Sequence, residues 1–495
     1  MLFTTAPFLL LFLPITLIGF FAWGRQSSRA AVVWLLTASV FFYGYWMPLA
    51  VLLLLSSVGA NFLLCRRIVA NLDAQAPTDA RRWLVLGIAL NLGALGYFKY
   101  ANFFVDNLSA VLGTEWHLAK VLLPIGISFY SFTQIAFLVD AFEGKVREPD
   151  LANYGLFVTY FPHLVAGPVL HHAQMMPQFA DRSICRPRAD HLVGGLGILA
   201  LGMFKKVVLA DGIAPYADAV FRAADLGAVP QSGEAWLGAV AYSLQLYFDF
   251  SGYSDMAVGL SIMFNVRLPF NFNSPYRARN IAEFWRRWHM SLSTFLRDYL
   301  YIPLGGNRLG SARRYLNLSL TMVLGGLWHG AGWSFVVWGA LHGAYLMLHQ
   351  GFAAVLGAAR HQRLATNTPL RYLAWALTLL AVIVAWVFFR AETLPGALRV
   401  LGAMGAWQAA PGNVPEQLWN AGLAVPRGWL WCAMLGALAL FGVNSNRLGT
   451  GLIAWLGHGS LRRPLLAGAT LALLAGLLLI NITRDSVSAF IYFNF

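Results

Sequence analysis

Two histidines stand where an ionisable side chain is costly. His329 lies in LGGLWHGAGW (324–333), inside an apolar run from Leu318 to Val337. His289 lies in NIAEFWRRWHMSLSTFLRDYLYIPLGGNR (280–308), between tryptophans and arginines. Ionisable groups at membrane depth usually face a cavity or the interior of a helix bundle, and they mark function. A neutral imidazole is the form that can take a proton from a hydroxyl. The competing reading for His329 is a structural hydrogen bond across a helix contact. Gly325, Gly326, Gly330, Gly332 and Gly339 suit either reading, because small residues allow both tight packing and a channel.

The segment around His289 is too polar to span a bilayer and too aromatic for a free loop. Trp285, Trp288, Leu292, Phe295, Leu296 and Tyr299 recur at helical spacing, interrupted by Arg286, Arg287, Ser293, Arg297 and Asp298. That pattern predicts an amphipathic helix at or just inside the interface, ending near Pro303 and Gly305–Gly306. Helical spacing would put His289 on one face with Arg286 and Ser293. Such a face is either a headgroup anchor or the wall of a site for an anionic, phosphate-bearing donor.

The rest of the chain must hold these groups in a membrane. Of its 495 residues, 58% are hydrophobic and only 11% charged, and mean hydropathy is +0.61. Apolar segments at roughly 4–22, 31–43, 48–64, 83–98, 121–140, 153–170, 194–218, 236–264, 315–345, 372–389, 428–443 and 465–482 predict an all-α polytopic membrane protein. The expected count is about 10–13 crossings or half-crossings, some broken or re-entrant. The first segment lacks a basic start and a cleavage site, so it reads as a retained helix.

Net charge is +14, from 35 basic and 21 acidic residues. Arg66–Arg67, Arg81–Arg82, Lys205–Lys206 and Arg462–Arg463 read as positive-inside connections facing anionic lipids. No basic stripe alternates with exposed aromatics, so nucleic acid is not an expected partner. Arg25 and Arg29 put the first loop in the cytoplasm, and both termini then lie outside. Cys65, Cys185 and Cys432 form no CxxC pair and suggest neither a disulfide framework nor a zinc site. Residues 391–427, rich in Gly, Pro and Ala, read as a surface loop.

Other polar groups are weaker candidates. Asp249 and Asp255 in YFDFSGYSDMA could orient a histidine or bind Arg287, or simply stabilise the fold. His163 follows Pro162 and could line a broken helix. His171 and His172 read as a surface pair, short of the three or four converging ligands a metal needs. His342, thirteen residues beyond His329, is expected near the opposite interface in a structural role.

WRRWHMSLSTFLRDYLYIPLGGNR followed by GGLWHGAGWSFVVWGALHG resembles the membrane-bound O-acyltransferase family, and more narrowly its bacterial branch concerned with alginate O-acetylation. MLFTTAPFLLLFLPI, LPIGISFYSFTQIAFLVDAF, YFPHLVAGPVLH and YFDFSGYSDMAVGLSIMFN carry the same resemblance, which covers residues 1–495 as a single membrane domain with its signature region at 247–345. It implies an enzyme that moves an acetyl group to a hydroxyl, with His329 at the catalytic position and His289 at the second signature position. It implies acetyl-CoA as donor, with Arg286, Arg287 and Ser293 as candidate contacts, and no metal. It also implies an exported polysaccharide as acceptor, a periplasmic SGNH-type acetyltransferase or accessory protein as partner, and the bacterial inner membrane as location. Acetylation of peptidoglycan or another envelope glycan is the alternative within the family. A transporter, or a scaffold for the periplasmic enzyme, is the alternative outside it.

The chain ends in FIYFNF, where polar residues are usual. An aromatic interfacial anchor is one reading. The other is a resemblance to the C-terminal tyrosine motif of the small membrane protein of teichoic-acid D-alanylation, which implies that Tyr492 carries the acyl group outward.

Overall fold

In this computed structural model, residues 1–406, 417–456, 462–483 and 490–491 are described. Among them every regular element is helical. Six helices are long and apolar enough to cross a membrane: Pro7–Gln26, Pro48–Asp73, Pro77–Leu112, Ala189–Asp225, Thr368–Arg390 and Arg463–Ile482. The pair Val425–Phe441 and Ser445–Leu456 passes as one broken span, which makes up to seven. Some of the other apolar segments form shorter helices, such as Ser28–Gly44 and Ile127–Phe142, so full crossings are fewer than the hydropathy segments.

The chain divides into two compact units. The first comprises residues 1–203, 253–269 and 449–493. Phe3, Phe8, Phe12, Phe42 and Phe161 interlock in its core, through ring contacts with centroids 5.0–6.4 Å apart. Several buried polar groups inside this unit find partners, as burial favours. Asn61 and Asn91 exchange side-chain amide bonds of 2.7 and 3.3 Å between adjacent helices. His163 Nε2 donates to the Phe157 carbonyl at 2.9 Å. His172 is buried, not on the surface as its sequence suggested. Its Nδ1 donates to Asp140 at 2.8 Å, and Lys145 holds the same carboxylate at 3.1 Å.

The second unit comprises residues 204–252, 270–448 and 494–495. Lys205 and Lys206 do not sit in a connection. They lie on a π-helical stretch, Lys205–Ala210, within Ala189–Asp225, and both are buried. Lys206 bridges Asp211 at 2.8 Å and Asp249 at 2.6 Å. Asp249 therefore pairs with Lys206, whereas Arg287, the partner considered for it, pairs with Glu283.

The apolar run around His329 is not one helix. Gly310–His329 ends at the histidine, residues 330–332 turn, and Trp333–Thr366 returns. Glycines make this hairpin possible. A Cβ on Gly326 would lie 2.3 Å from the Phe335 carbonyl oxygen, and one on Gly339 would lie 2.4 Å from that of Met322. At Gly330 a Cβ would overlap the Phe335 ring at 2.1 Å.

The contacts of Gly326 and Gly339 are to backbone and cannot be relieved by moving a flexible side chain. Gly339→Ala should therefore destabilise the protein by about 1–3 kcal/mol or more. Gly93→Ala meets nothing within 4 Å and should leave stability unchanged. Thermal unfolding in detergent, read by size-exclusion chromatography, checks the pair. Equal midpoints would remove the hairpin's claim to close backbone contact.

Candidate active site

The segment expected to be one amphipathic helix is two short ones, Ile281–Trp285 and Met290–Leu296, followed by a π-helical stretch Arg297–Tyr301. The break falls at His289, whose φ of 42° and ψ of 54° are left-handed. A non-glycine residue holds such a conformation at a cost, and such strain gathers at functional sites. Trp285, Trp288 and Leu292 are buried, as their spacing predicted. The helical register that would align His289 with Arg286 and Ser293 is lost.

The backbone groups released by the break find partners in residues 271–273. Met290 N donates to the Asn271 carbonyl at 3.0 Å, and Ser291 N to Asn271 Oδ1 at 3.2 Å. Asn273 N donates to the Arg287 carbonyl at 2.9 Å. Ser293 Oγ donates to the carbonyls of Trp285 and Trp288 at 3.1 and 3.3 Å. Arg287 makes two bonds of 2.7 and 3.0 Å to Glu283 and one of 3.0 Å to the Asn273 carbonyl. Burial pushes the Glu283 carboxyl up, but the Arg279 amide and the Arg287 guanidinium outweigh it and hold it below the ordinary range. Of the three candidate donor contacts, Arg287 and Ser293 thus bond within the protein, and Arg286 is exposed.

His289 and His329 both lie within ring contact of one tryptophan, Trp328. His289 is fully buried, and its ring meets Phe250 edge-on at 4.7 Å. Its centroid is 6.3 Å from Trp328, whose ring is 4.9 Å from His329. His329 is 3% exposed and also packs on Trp338 and Phe389, each at 5.1 Å. The walls are aromatic throughout. Trp386 stacks on Trp338 at 5.8 Å, and Phe284 on Trp288 at 5.7 Å.

His342 is not at a distant interface. Its ring lies 4.8 Å from Trp338, one turn before it on the same helix, and 5.1 Å from Trp285. Trp285 Nε1 donates to His342 Nδ1 at 3.3 Å. Sequence spacing missed this because it assumed a continuous helix. The signal available was the pair of glycines on either side of Ala331, where a helix can turn. Asp255 lies in the first unit, buried, and Asp249 in the second. Among the described residues, no three His, Cys, Asp or Glu side chains converge on a metal position. Tyr492 lies outside the described residues. Its neighbour Phe490 is 2% exposed and stacks on Tyr253 at 4.4 Å, within the first unit.

The arrangement has a chemistry. Two imidazoles in a dry aromatic setting can move a proton, and no serine nucleophile of the GxSxG type is present in the chain. Comparison with known proteins agrees. The profile of the membrane-bound O-acyltransferase family matches residues 18–391. A peptidoglycan O-acetyltransferase of Helicobacter pylori is 41% identical, over 82% of this chain and 80% of its own. A probable alginate O-acetylase of Azotobacter vinelandii is 45% identical, over 82% and 79%. A teichoic acid D-alanyltransferase of Bacillus subtilis is 28% identical, over 46% and 59%. A match of that extent, on a helical membrane chain, makes this protein a member of the membrane-bound O-acyltransferase family.

Proposed function

We propose that the protein takes acetyl from acetyl-CoA and transfers it towards the hydroxyls of an exported polysaccharide of the alginate type. The observation that carries this reading is the packing of both His289 and His329 against Trp328 in a buried aromatic site. His329 is the general base. It takes the proton of the acceptor hydroxyl as the oxygen attacks the thioester carbonyl, then returns it to the departing thiolate. His289 works beside it, and Arg286 is the group left to meet the donor's phosphates. Identity of 45% to an alginate O-acetylase supports the polymer class. Identity of 41% to a peptidoglycan O-acetyltransferase supports the second reading, an envelope glycan.

The chain acts as one catalytic membrane domain in the bacterial inner membrane, with both termini outside. Basic clusters at 66–67, 81–82 and 462–463 support that orientation. A periplasmic acetyltransferase or accessory protein receives the group, and Tyr492 hands it on. A phenol has an ordinary pKa near about 10, so Tyr492 needs a base such as His329 to attack a thioester, and the phenolic ester formed is itself activated.

His329→Ala should lower transfer by about 10²–10⁴-fold, while accumulation and detergent stability stay near wild type. His289→Ala should also weaken it strongly. Ester-linked acetyl on the exported polymer, with and without each variant, is the measurement. Acetylated polymer from the His329→Ala strain would overturn the reading, and the identity of the polymer that loses acetyl decides between alginate and peptidoglycan.

Tyr492→Phe removes one oxygen and keeps the aromatic tail. It should stop acetylation of the polymer without affecting membrane insertion. A base-labile acetyl on the C-terminal peptide, trapped in a strain lacking the periplasmic partner, would be the direct sign. Wild-type acetylation by Tyr492→Phe ends the relay and leaves the tail as an anchor.

A further inference from the structure

Around His329, two N–H donors are buried without an acceptor among the described residues. One is Trp338 Nε1, on a residue 1% exposed, and the other is His342 Nε2, on a residue 0% exposed. Buried donors are almost always paired, and the exceptions call for an explanation. The protonation of His342 follows from its neighbour. An indole N–H can only donate, so the bond from Trp285 makes His342 Nδ1 the acceptor. The neutral ring then carries its hydrogen on Nε2, which is a fixed donor.

The two donors are adjacent. The His342 and Trp338 rings are 4.8 Å apart, and Trp338 stands perpendicular to His329 at 5.1 Å. A base thus lies beside a wall whose two polar atoms are both hydrogen-bond donors. Packing alone would be served by phenylalanine at 338 and leucine at 342 without desolvating an N–H. What such a wall suits is an oxygen that becomes negative during reaction.

We infer that Trp338 Nε1–H and His342 Nε2–H form the oxyanion hole for acyl transfer. The inference rests on the proposed reading of His329 as base. In the step, the acceptor oxygen bonds to the thioester carbonyl carbon, and its proton goes to His329. The carbonyl π pair moves onto oxygen, where the two N–H groups hold it. Collapse restores the carbonyl and breaks the C–S bond, and the thiolate leaves with the proton from His329. A thioester carbonyl accepts hydrogen bonds more weakly than the oxyanion does. The two donors therefore favour the transition state over the bound substrate.

The test replaces one atom. Incorporation of 3-benzothienylalanine at position 338 exchanges the indole N–H for sulfur and keeps the bicyclic shape. Transfer of labelled acetyl from acetyl-CoA to ester-linked glycan is followed in membranes. The substitution should lower kcat about 10²–10³-fold and leave KM for acetyl-CoA within about threefold of wild type. Trp338→Phe, which also lacks the N–H, should show the same split. At the second position, His342→Gln keeps an N–H donor and should retain a kcat at least about tenfold higher than His342→Leu, with KM for acetyl-CoA alike in the two. An unchanged kcat in either 338 variant, or a loss expressed only in KM, overturns the oxyanion hole. Failure of the underlying reading would show separately, as activity in His329→Ala.

Discussion

A helix inside a membrane can end only where its released backbone groups find partners, because lipid offers none. His289 and His329 both sit at such an end. His329 is the last residue of Gly310–His329, and His289 is the left-handed residue before Met290–Leu296. The remaining architecture of the second unit serves these two breaks. Asn271, Asn273 and Ser293 close the hydrogen bonds at one. At the other, Gly332 N donates to the Gly330 carbonyl and Phe335 N to that of Gly332. A histidine on an uninterrupted helix would leave its ring among side chains of its own turn. At a helix end it enters a space shared by several elements, where Trp328, Trp338 and Phe389 surround it.

The same rule governs the buried charges. Lys206 lies deep in an apolar helix, on a π-helical stretch that adds a residue to the turn. Two carboxylates within 2.8 Å meet it there. Removing one partner of such a cluster would leave an uncompensated charge, which costs far more than a surface ion pair. The cluster ties Ala189–Asp225 to the helix that carries Asp249 and, one residue later, the Phe250 ring against His289. Charge pairing on one side of Ser232–Met263 thus fixes the aromatic contact next to it.

What could be read from the sequence was whatever depends on composition or on short motifs. Hydropathy marked a helical membrane chain, and the isolation of His329 and His289 in apolar surroundings marked both as special. The burial of Trp285, Trp288 and Leu292 followed from their spacing. What failed were readings that assumed a regular helix. The left-handed His289 broke the face expected to join Arg286 and Ser293, and the turn at Gly330 moved His342 from a presumed far end to a ring beside Trp338. Lys205–Lys206 was misplaced for a different reason. A pair of lysines looks the same in a loop as in a helix, and of the two carboxylates that meet Lys206 in the interior one, Asp249, is distant in sequence. Long-range pairing of this kind has no local signature.

The aromatic lining answers why a proton-transfer site should be so poor in polar side chains. Carboxylates beside an imidazole would hold it as the cation, which cannot accept a proton. The described neighbours of His329 are instead Trp328, Trp338 and Phe389, rings that bring no formal charge. They exclude water, and a dry site both prevents hydrolysis of a thioester and strengthens any hydrogen bond made within it. Tryptophan does more than fill this wall, because it supplies an N–H at the end of an apolar plane. Replacing such a wall with Asn or Ser would place competing acceptors next to the base. The Trp338 indole brings a donor and no acceptor next to the base.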